Sequence, residues 1–505
     1  MSNKEFLKKV PRNSTFPVRH SAVHFEKSSY VNNFDMKIAY LHYHLKPGGV
    51  TTVIRQQIDA VKDFCEILVI TGSPPTDVFP AETIVIPGVG YSQPDSDLPP
   101  PEKIAQAIIN AIHDRWETGC DLLHVHNPLL AKNKNFLKIL SVLRRKNIRL
   151  FLQVHDFAED GRPWSYYTEN DYPADCQYGV INSRDFEILI KTGLKPDGLH
   201  LLANTVSPFK TEGGKKIPKE IILYPVRAIR RKNIGEALLL SLFFPNNETL
   251  AITLPPNSHR DWTTYDDWKK FAHHHALKVI FEAADQYDFT DLVKSAKCLI
   301  TTSISEGFGF AFLEPWTAGK TLIGRNIPDI CRDFSKNDIH LDHLYNQILI
   351  PVDWFDIHQF YEKWKACILK NARRFNIKIS VSRVDAAFKT ITKDNCIDFA
   401  HLNENMQQHI ISMLINSNDI KKQILKLNPF LANITCIPDH HNRISHNKKA
   451  VVASYSQKAY QRCLMDIYSR IVQKSVSQQI DKQILAREFL NPETFSLLKW
   501  SDDDV

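Results

Sequence analysis

The chain has 505 residues, enough for about two to four domains, and its 43% hydrophobic and 24% charged content is that of an ordinary globular protein. No apolar run reaches the ~18 residues that span a bilayer, and the nine cysteines, odd in number and without a C-x-x-C pair, argue against a disulfide framework or a structural zinc site and for a reducing compartment. The net charge of +7 is thinly spread; it allows an anionic ligand or peripheral contact with a membrane surface, but no Lys/Arg block is long enough to require nucleic acid.

Residues 1–35 lack periodicity and form a loose extension. Three lysines in Met1–Val10 are not followed by an apolar stretch, so the segment does not read as a secretory leader and the expected location is cytoplasmic. Folding proper starts near Met36. Lys37–His44 reads as a strand, followed by Gly48-Gly49 and an amphipathic run, Thr52–Phe64. Cys65–Thr71 and Thr83–Val89 are strands, Ile104–Trp116 a helix, Leu122–His126 a strand, Asn135–Lys146 a helix and Arg149–His155 a strand. Tyr178–Asn182 and Leu201–Thr205 complete a first unit over 36–209. A polar linker, 210–219, leads to a second series within 220–450. Its strands are Ile221–Val226, Thr249–Leu254, Lys278–Glu282, Cys298–Thr302 and Thr321–Gly324; its helices are Ile234–Phe244, Asp261–His274 and Thr290–Ala296. Alternation of this kind implies parallel sheets with helices on both faces. Two doubly wound units make a cleft between them, and ligands in such sheets bind beyond the carboxyl ends of the strands. From about Phe334 the pattern turns helical and polar. Ile348–Pro351 adds a strand, Gln407–Leu427 is helix-like, Pro438–Asn442 is a loop, and Ser454–Lys474 is an amphipathic helix within a last segment, 451–505.

Glycine is scarce, at 17 residues, yet six stand at Gly48, Gly49, Gly307, Gly309, Gly319 and Gly324, where a side chain would not fit or a ligand comes close. Glu306 and Glu314 bracket Gly307-Phe308-Gly309-Phe310-Ala311-Phe312-Leu313 between a strand and an expected helix. Two carboxylates can accept hydrogen bonds from sugar hydroxyls, and a helix start offers amides to a diphosphate. At the end of the second unit's first strand, Arg227, Arg230, Arg231 and Lys232 put four cations in six residues just before a helix. A cation about 4 Å from a phosphate charge contributes roughly 4 kcal/mol at an effective dielectric near 20, so Arg227 and Lys232 with a helix start could replace a divalent metal. Alone, each of these motifs also fits a solvated charge run beside an ordinary turn.

Taken in order, four motifs resemble those of family 4 retaining glycosyltransferases with the GT-B fold: Gly48-Gly49-Val50 after the first strand, a strand running into Val154-His155-Asp156, Arg227 with Lys232, and Glu306 with Glu314. The resemblance covers about Met36 to Asp333 and the helix at Ser454–Lys474, which is similar to the helix that crosses back to the first domain in that fold. It implies two Rossmann-like domains facing a cleft, with a mostly helical C-terminal extension here. By the resemblance, Glu306 touches the transferred sugar, Glu314 holds the ribose, and Arg227 and Lys232 hold the diphosphate. The amides of Gly307, Phe308, Gly309 and Phe310 and of the Gly48-Gly49 loop face the sugar-phosphate, and His155 lies near the anomeric carbon.

The implied reaction moves a hexose from a nucleotide-diphosphate sugar, with a UDP-sugar favoured, to a hydroxyl of an acceptor that is a sugar, lipid, small metabolite or protein. It needs no cofactor or metal. Growing charge on the diphosphate is met by fixed cations and amides; the leaving phosphate takes the acceptor's proton, so no general base is named. The chain departs from the family pattern at Pro315, which places the helix start near Leu313, at Asn233, where glycine is common, and in the length of 334–453. His273-His274-His275 and His440-His441 lack carboxylate or cysteine partners at metal-ligand spacing. Glu159-Asp160 reads as a solvated loop, with an acceptor contact as the alternative, and Trp164-Ser165-Tyr166-Tyr167 as packing or an acceptor platform. A sugar-nucleotide epimerase would need an acid/base set around the sugar, and a phosphorylase would need a marked pyridoxal lysine; a non-catalytic sugar-nucleotide binder remains the alternative of a different class.

Overall fold

The computed structural model describes residues 36–92, 99–209, 215–217, 219–436 and 440–494. The expected extension 1–35, most of the linker 210–219, Pro438-Asp439 and the residues after 494 lie outside the described residues.

The first sheet contains β1 (Met36–His42), β2 (Cys65–Thr71), β3 (Glu82–Val85), β4 (Leu122–His126), β5 (Leu150–Val154), β6 (Gln177–Val180) and β7 (Leu199–Leu201). All pair in parallel, in the order β3-β2-β1-β4-β5-β6-β7. The second contains β8 (Glu220–Arg227), β9 (Glu248–Leu254), β10 (Val279–Ile280), β11 (Ala296–Thr301) and β12 (Thr321–Gly324), also parallel, in the order β10-β9-β8-β11-β12. Central strands are apolar on both faces because helices cover both; every residue of β4 and of β5 is buried. Strand order reverses between β1 and β4 in one sheet and between β8 and β11 in the other. These two switch points open crevices at the carboxyl ends of their strands, and the motifs of the sequence lie there.

The segment after Phe334 is not a loose appendage. Helices Ile357–Arg374 and Val381–Ile391 lie between β13 (Leu349–Pro351) and β14 (Cys396–Asp398), which pair antiparallel. Together with Glu404–Asn416 they close one face of the second sheet, where Trp364, Phe399 and Ile410 join Ile222, Leu250 and Ile252 in one core. The helix Gln457–Gln473 packs on the first domain instead. Tyr468 Oη lies 2.8 Å from Tyr40 Oη and 2.8 Å from His124 Nδ1, and Gln57 Nε2 donates to Tyr460 Oη at 2.8 Å. A last helix, Lys482–Phe489, ends with Glu488 paired to Lys191 at 2.7 Å.

Several expected boundaries move. Ser454–Lys474 is two helices, His440–Tyr455 and Gln457–Gln473, because Ser456 caps the second by accepting from the Ala459 amide. Ser417 splits Gln407–Leu427 in the same way, capping Asn418–Leu427 at Ile420. His440–Asn442 opens a helix rather than forming a loop. The strand expected at Lys278–Glu282 is two residues long, ending before Glu282 in the left-handed region at φ 55. Leu201–Thr205 gives way to β7, and the helix Ser183–Lys191, capped by Asn182, was not foreseen. After Gly309 the chain makes only a 3-10 turn, Phe310–Phe312, and a single helical turn, Glu314–Thr317, with Pro315 in its first turn.

Candidate functional site

β8 ends at Arg227. Its guanidinium donates through Nη1 to the Pro255 carbonyl at 3.0 Å, just past the end of β9. A 3-10 turn, Arg230–Lys232, then meets Asn233, which holds φ 50 and ψ 52 at the start of the next helix. Asparagine tolerates this left-handed conformation, which explains its presence where glycine is common. Gln407 Nε2 donates to its Oδ1 at 3.0 Å, and its Nδ2 donates to Glu236 at 2.9 Å. The Lys232 carbonyl is held by Tyr224 Oη at 2.7 Å and Thr302 Oγ1 at 3.0 Å. The lysine is thereby aimed at the strand-end loop opposite.

Lys232 Nζ donates to Glu306 Oε1 at 2.5 Å, and Arg231 Nη1 approaches Glu306 Oε2 at 3.4 Å. The Glu306 side chain is 7% exposed. Burial raises its pKa, but Lys232 and Arg231 outweigh burial and hold the carboxyl below its ordinary range. Burial also lowers the Lys232 ammonium, against the attraction of Glu306 and, more weakly, of Glu314. Both acids therefore favour the charged form of one lysine. Burial pushes the Glu314 carboxyl up to about 7, with Lys232 acting the other way.

The loop between the two acids meets the other lobe. A Cβ on Gly307 would come 3.3 Å from the His155 carbonyl, and Asn182 Nδ2 donates to the Gly307 carbonyl at 2.8 Å. Ser183 N donates to Asp333 at 2.7 Å and Arg332 pairs with Glu187 at 2.8 Å along the same seam. Gly309 holds φ 93, which only glycine adopts freely. The Phe308 ring is buried against Phe334 and Tyr455, so what it could offer a ligand is its backbone, the part the resemblance implies. Phe310 stacks edge-on against it and is half-buried. At the facing switch point, Gly48 starts the helix Gly49–Val61, and a Cβ on Gly49 would meet nothing within 4 Å. Protein packing does not demand these glycines; both are exposed, and the space a side chain would fill is open.

His155 follows β5 and is buried, with Nε2 3.0 Å from His126 Nδ1 at the end of β4. Burial drives His155 down to about 4 and His126 well below its ordinary value, so both rings are neutral at pH 7 and share one proton. His126 Nε2 is buried without a partner. Were His155 the donor, that nitrogen would carry a buried orphan N–H, a rarer and costlier state than an unused lone pair. His126 Nδ1–H therefore donates to His155, leaving the His155 Nδ1–H available as a donor. Asn127 Oδ1 accepts from the amides of His155 and Asp156 at 3.1 and 3.0 Å and fixes this corner.

Sequence reasoning missed Arg231 and His126. Arg231 stood in the cation run, and His126 ended an expected strand, but neither carried a signal of its own. Glu159 is not solvated as expected. It is fully buried, accepts from Tyr172 Oη at 2.9 Å, and is pushed up to about 7 by burial. Trp164 is 45% exposed, with the Arg260 guanidinium of the other lobe 4.1 Å over its ring, whereas Tyr167 belongs to the core. Among the described residues no helix is long and apolar enough to cross a membrane.

No family model matches the chain. It is 28% identical over 370 residues to the mannosylglucosyl-3-phosphoglycerate synthase of Petrotoga mobilis, spanning 65% of this chain and 72% of that protein. Among solved structures, a glycosyltransferase from Rickettsia africae superposes with a TM-score of 0.51 at 12% identity, over 87% of this chain and 99% of that one. A sucrose-phosphate synthase from Thermosynechococcus elongatus gives 0.49 at 13% identity, over 86% and 98%. The Rickettsia likeness shows the two-lobed GT-B fold, and the sequence likeness to the Petrotoga enzyme supports a glycosyltransferase.

Proposed function

We propose that the protein transfers a hexose from a nucleotide-diphosphate sugar to an acceptor hydroxyl, with retention of anomeric configuration and without a catalytic metal. The observation that carries this is the Lys232–Glu306 pair, flanked by Arg231 and Glu314, at one switch point and against the His155 corner of the other lobe. A buried ammonium suits the phosphate charge that grows as the sugar leaves. Glu306, kept ionised by its cations, suits a sugar hydroxyl. The His155 Nδ1–H suits an oxygen of the sugar or of the leaving phosphate. With the cleft closed over the donor, the departing phosphate takes the proton of an acceptor attacking from its own face, and exclusion of water limits hydrolysis.

The name of the Petrotoga relative makes sugar-phosphoglycerate acceptors the first class to test. A thermal-shift panel of UDP-, GDP- and ADP-sugars on purified protein identifies the donor, because a bound ligand raises stability by mass action; a UDP-sugar is expected to lead. Labelled donor then distinguishes an enzyme, which hydrolyses it slowly or transfers it, from a binder without turnover. Binding of a nucleotide-sugar with no release of nucleotide under any acceptor sinks the proposal.

A further inference from the structure

We propose that Asp338, His340 and His446 form a binding site for one divalent cation of the zinc, cobalt or nickel kind. The three residues come from two elements. Asp338 and His340 follow the helix Pro328–Lys336, and His446 lies within the helix His440–Tyr455. Their ligand atoms all lie within 4.8 Å of one another. His340 Nε2 is 3.4 Å from one carboxylate oxygen of Asp338, and His446 Nε2 is 3.1 Å from the other. Two ligand atoms bound at about 2.0–2.1 Å to a tetrahedral ion stand roughly 3.3–3.4 Å apart. The two His–Asp edges, each measured to a different oxygen of the same carboxylate, are thus close to the size a tetrahedral ion requires.

The third edge is set by the two imidazoles, stacked with centroids 4.1 Å apart and planes 21° from parallel. Two imidazolium cations in that stack would repel each other; two neutral rings turned toward one carboxylate suit an ion held between them. The loop is pre-set for this. The His340 amide donates to Asn447 Oδ1 at 2.8 Å, Asn447 Nδ2 donates back to the His340 carbonyl at 3.0 Å, and Asn447 is fully buried. His446 Nε2 also lies 2.9 Å from the Asp338 carbonyl, to which it can donate in the metal-free protein. Metal binding would take that nitrogen's lone pair and move its proton to Nδ1. Two imidazoles and one carboxylate favour zinc, cobalt or nickel over magnesium or calcium, which seek oxygen ligands; water would complete the shell.

This site shares no residue with the Lys232–Glu306 cluster. Its effect would be mechanical, tying the loop at 338–340 to the helix that ends at Tyr455. The Tyr455 carbonyl accepts from Thr205 Oγ1 at 2.8 Å and from the Val206 amide at 2.9 Å, where the first domain leads toward the second.

The test uses the full chain, stripped with a chelator and titrated with Co²⁺ while its ligand-field absorption is followed, and with Zn²⁺ while the thermal midpoint is followed. One equivalent of Co²⁺ and a Zn²⁺-dependent rise in midpoint are expected. His446→Gln and Asp338→Asn should each weaken Co²⁺ binding by at least the 10–100-fold that even outer-shell changes cost, and should remove the rise. His340→Gln supplies the same comparison if either variant is unstable without metal. Equal Co²⁺ affinity in wild type and variants, or no saturable binding below ~1 mM, overturns the proposal.

Discussion

Replacing Lys232 by Met keeps the stem and removes the charge. In the wild type the ammonium sits 2.5 Å from a Glu306 carboxylate that is 7% exposed. Stripping one partner from such a buried pair costs about 3–5 kcal/mol; the lower end applies here because Arg231 remains at 3.4 Å. The loss depends on pH. Wild-type Glu306 has a depressed pKa, so its contribution is present above the unfolded carboxyl's value and fades as pH falls through the folded one. In the variant, burial dominates and the folded pKa moves above the unfolded one. Stability is then fullest at low pH and lost as pH rises through the new value. The gap between variant and wild type should therefore widen from about pH 4.5 to 7. For transfer, the missing cation removes roughly 4 kcal/mol of interaction with the departing phosphate, or about 1,000-fold in kcat/KM. Denaturant titrations at several pH values, paired with transfer of labelled sugar, measure both. Turnover within tenfold of wild type, or a stability gap flat with pH, refutes the reasoning.

Glu314→Gln should raise donor KM and flatten its dependence on pH near 7, where the wild-type carboxyl titrates. Because that folded pKa is raised, its stabilising share is lost as pH climbs, so the variant should be the more stable protein at pH 8 by on the order of 1–3 kcal/mol; equal melting there contradicts the assignment. Gly49→Ala should leave the fold intact or stabilise the helix by up to about 1 kcal/mol, since its Cβ would enter open space, yet weaken donor binding if its amide faces the sugar-phosphate as proposed. Gly309→Ala should instead destabilise by roughly 1–2 kcal/mol, measured by denaturation, since the residue holds φ 93 and its Cβ would meet Ile330 and Phe312 at 3.0 Å. His126→Phe removes the N–H given to His155; kcat should fall about tenfold with donor KM little changed, and an unaltered kcat would show that the His155 tautomer does not matter.

The central strands β2 and β4 were legible residue for residue, because their runs are apolar on both faces. The errors gathered at the edges. β3, β7 and β10 pair little or on one side, so their patterns are short and mixed. The splits at Ser417 and Ser456 were hidden because serine inside an amphipathic run looks like an exposed helical position until its hydroxyl is seen capping. Lys232 and Glu306 are 74 residues apart, and only their order in a family pattern hinted that they meet. That Arg231 is the guanidinium of the run that reaches Glu306 is seen only once the 3-10 turn Arg230–Lys232 is in place, which no spacing rule supplies.

The hydroxyl contact between Tyr40 and Tyr468 joins positions 428 apart. During synthesis, the amino-terminal lobe leaves the ribosome with Tyr40, Gln57 and His124 lacking their tyrosine partners, Tyr460 and Tyr468, and it stays so while the whole other lobe is made. Its packing is finished only when residues 457–489 emerge and fold back. A fragment cut anywhere between the lobes would keep its strands but expose the surface that helix should cover, and it should need either that helix supplied separately or a chaperone to remain in solution.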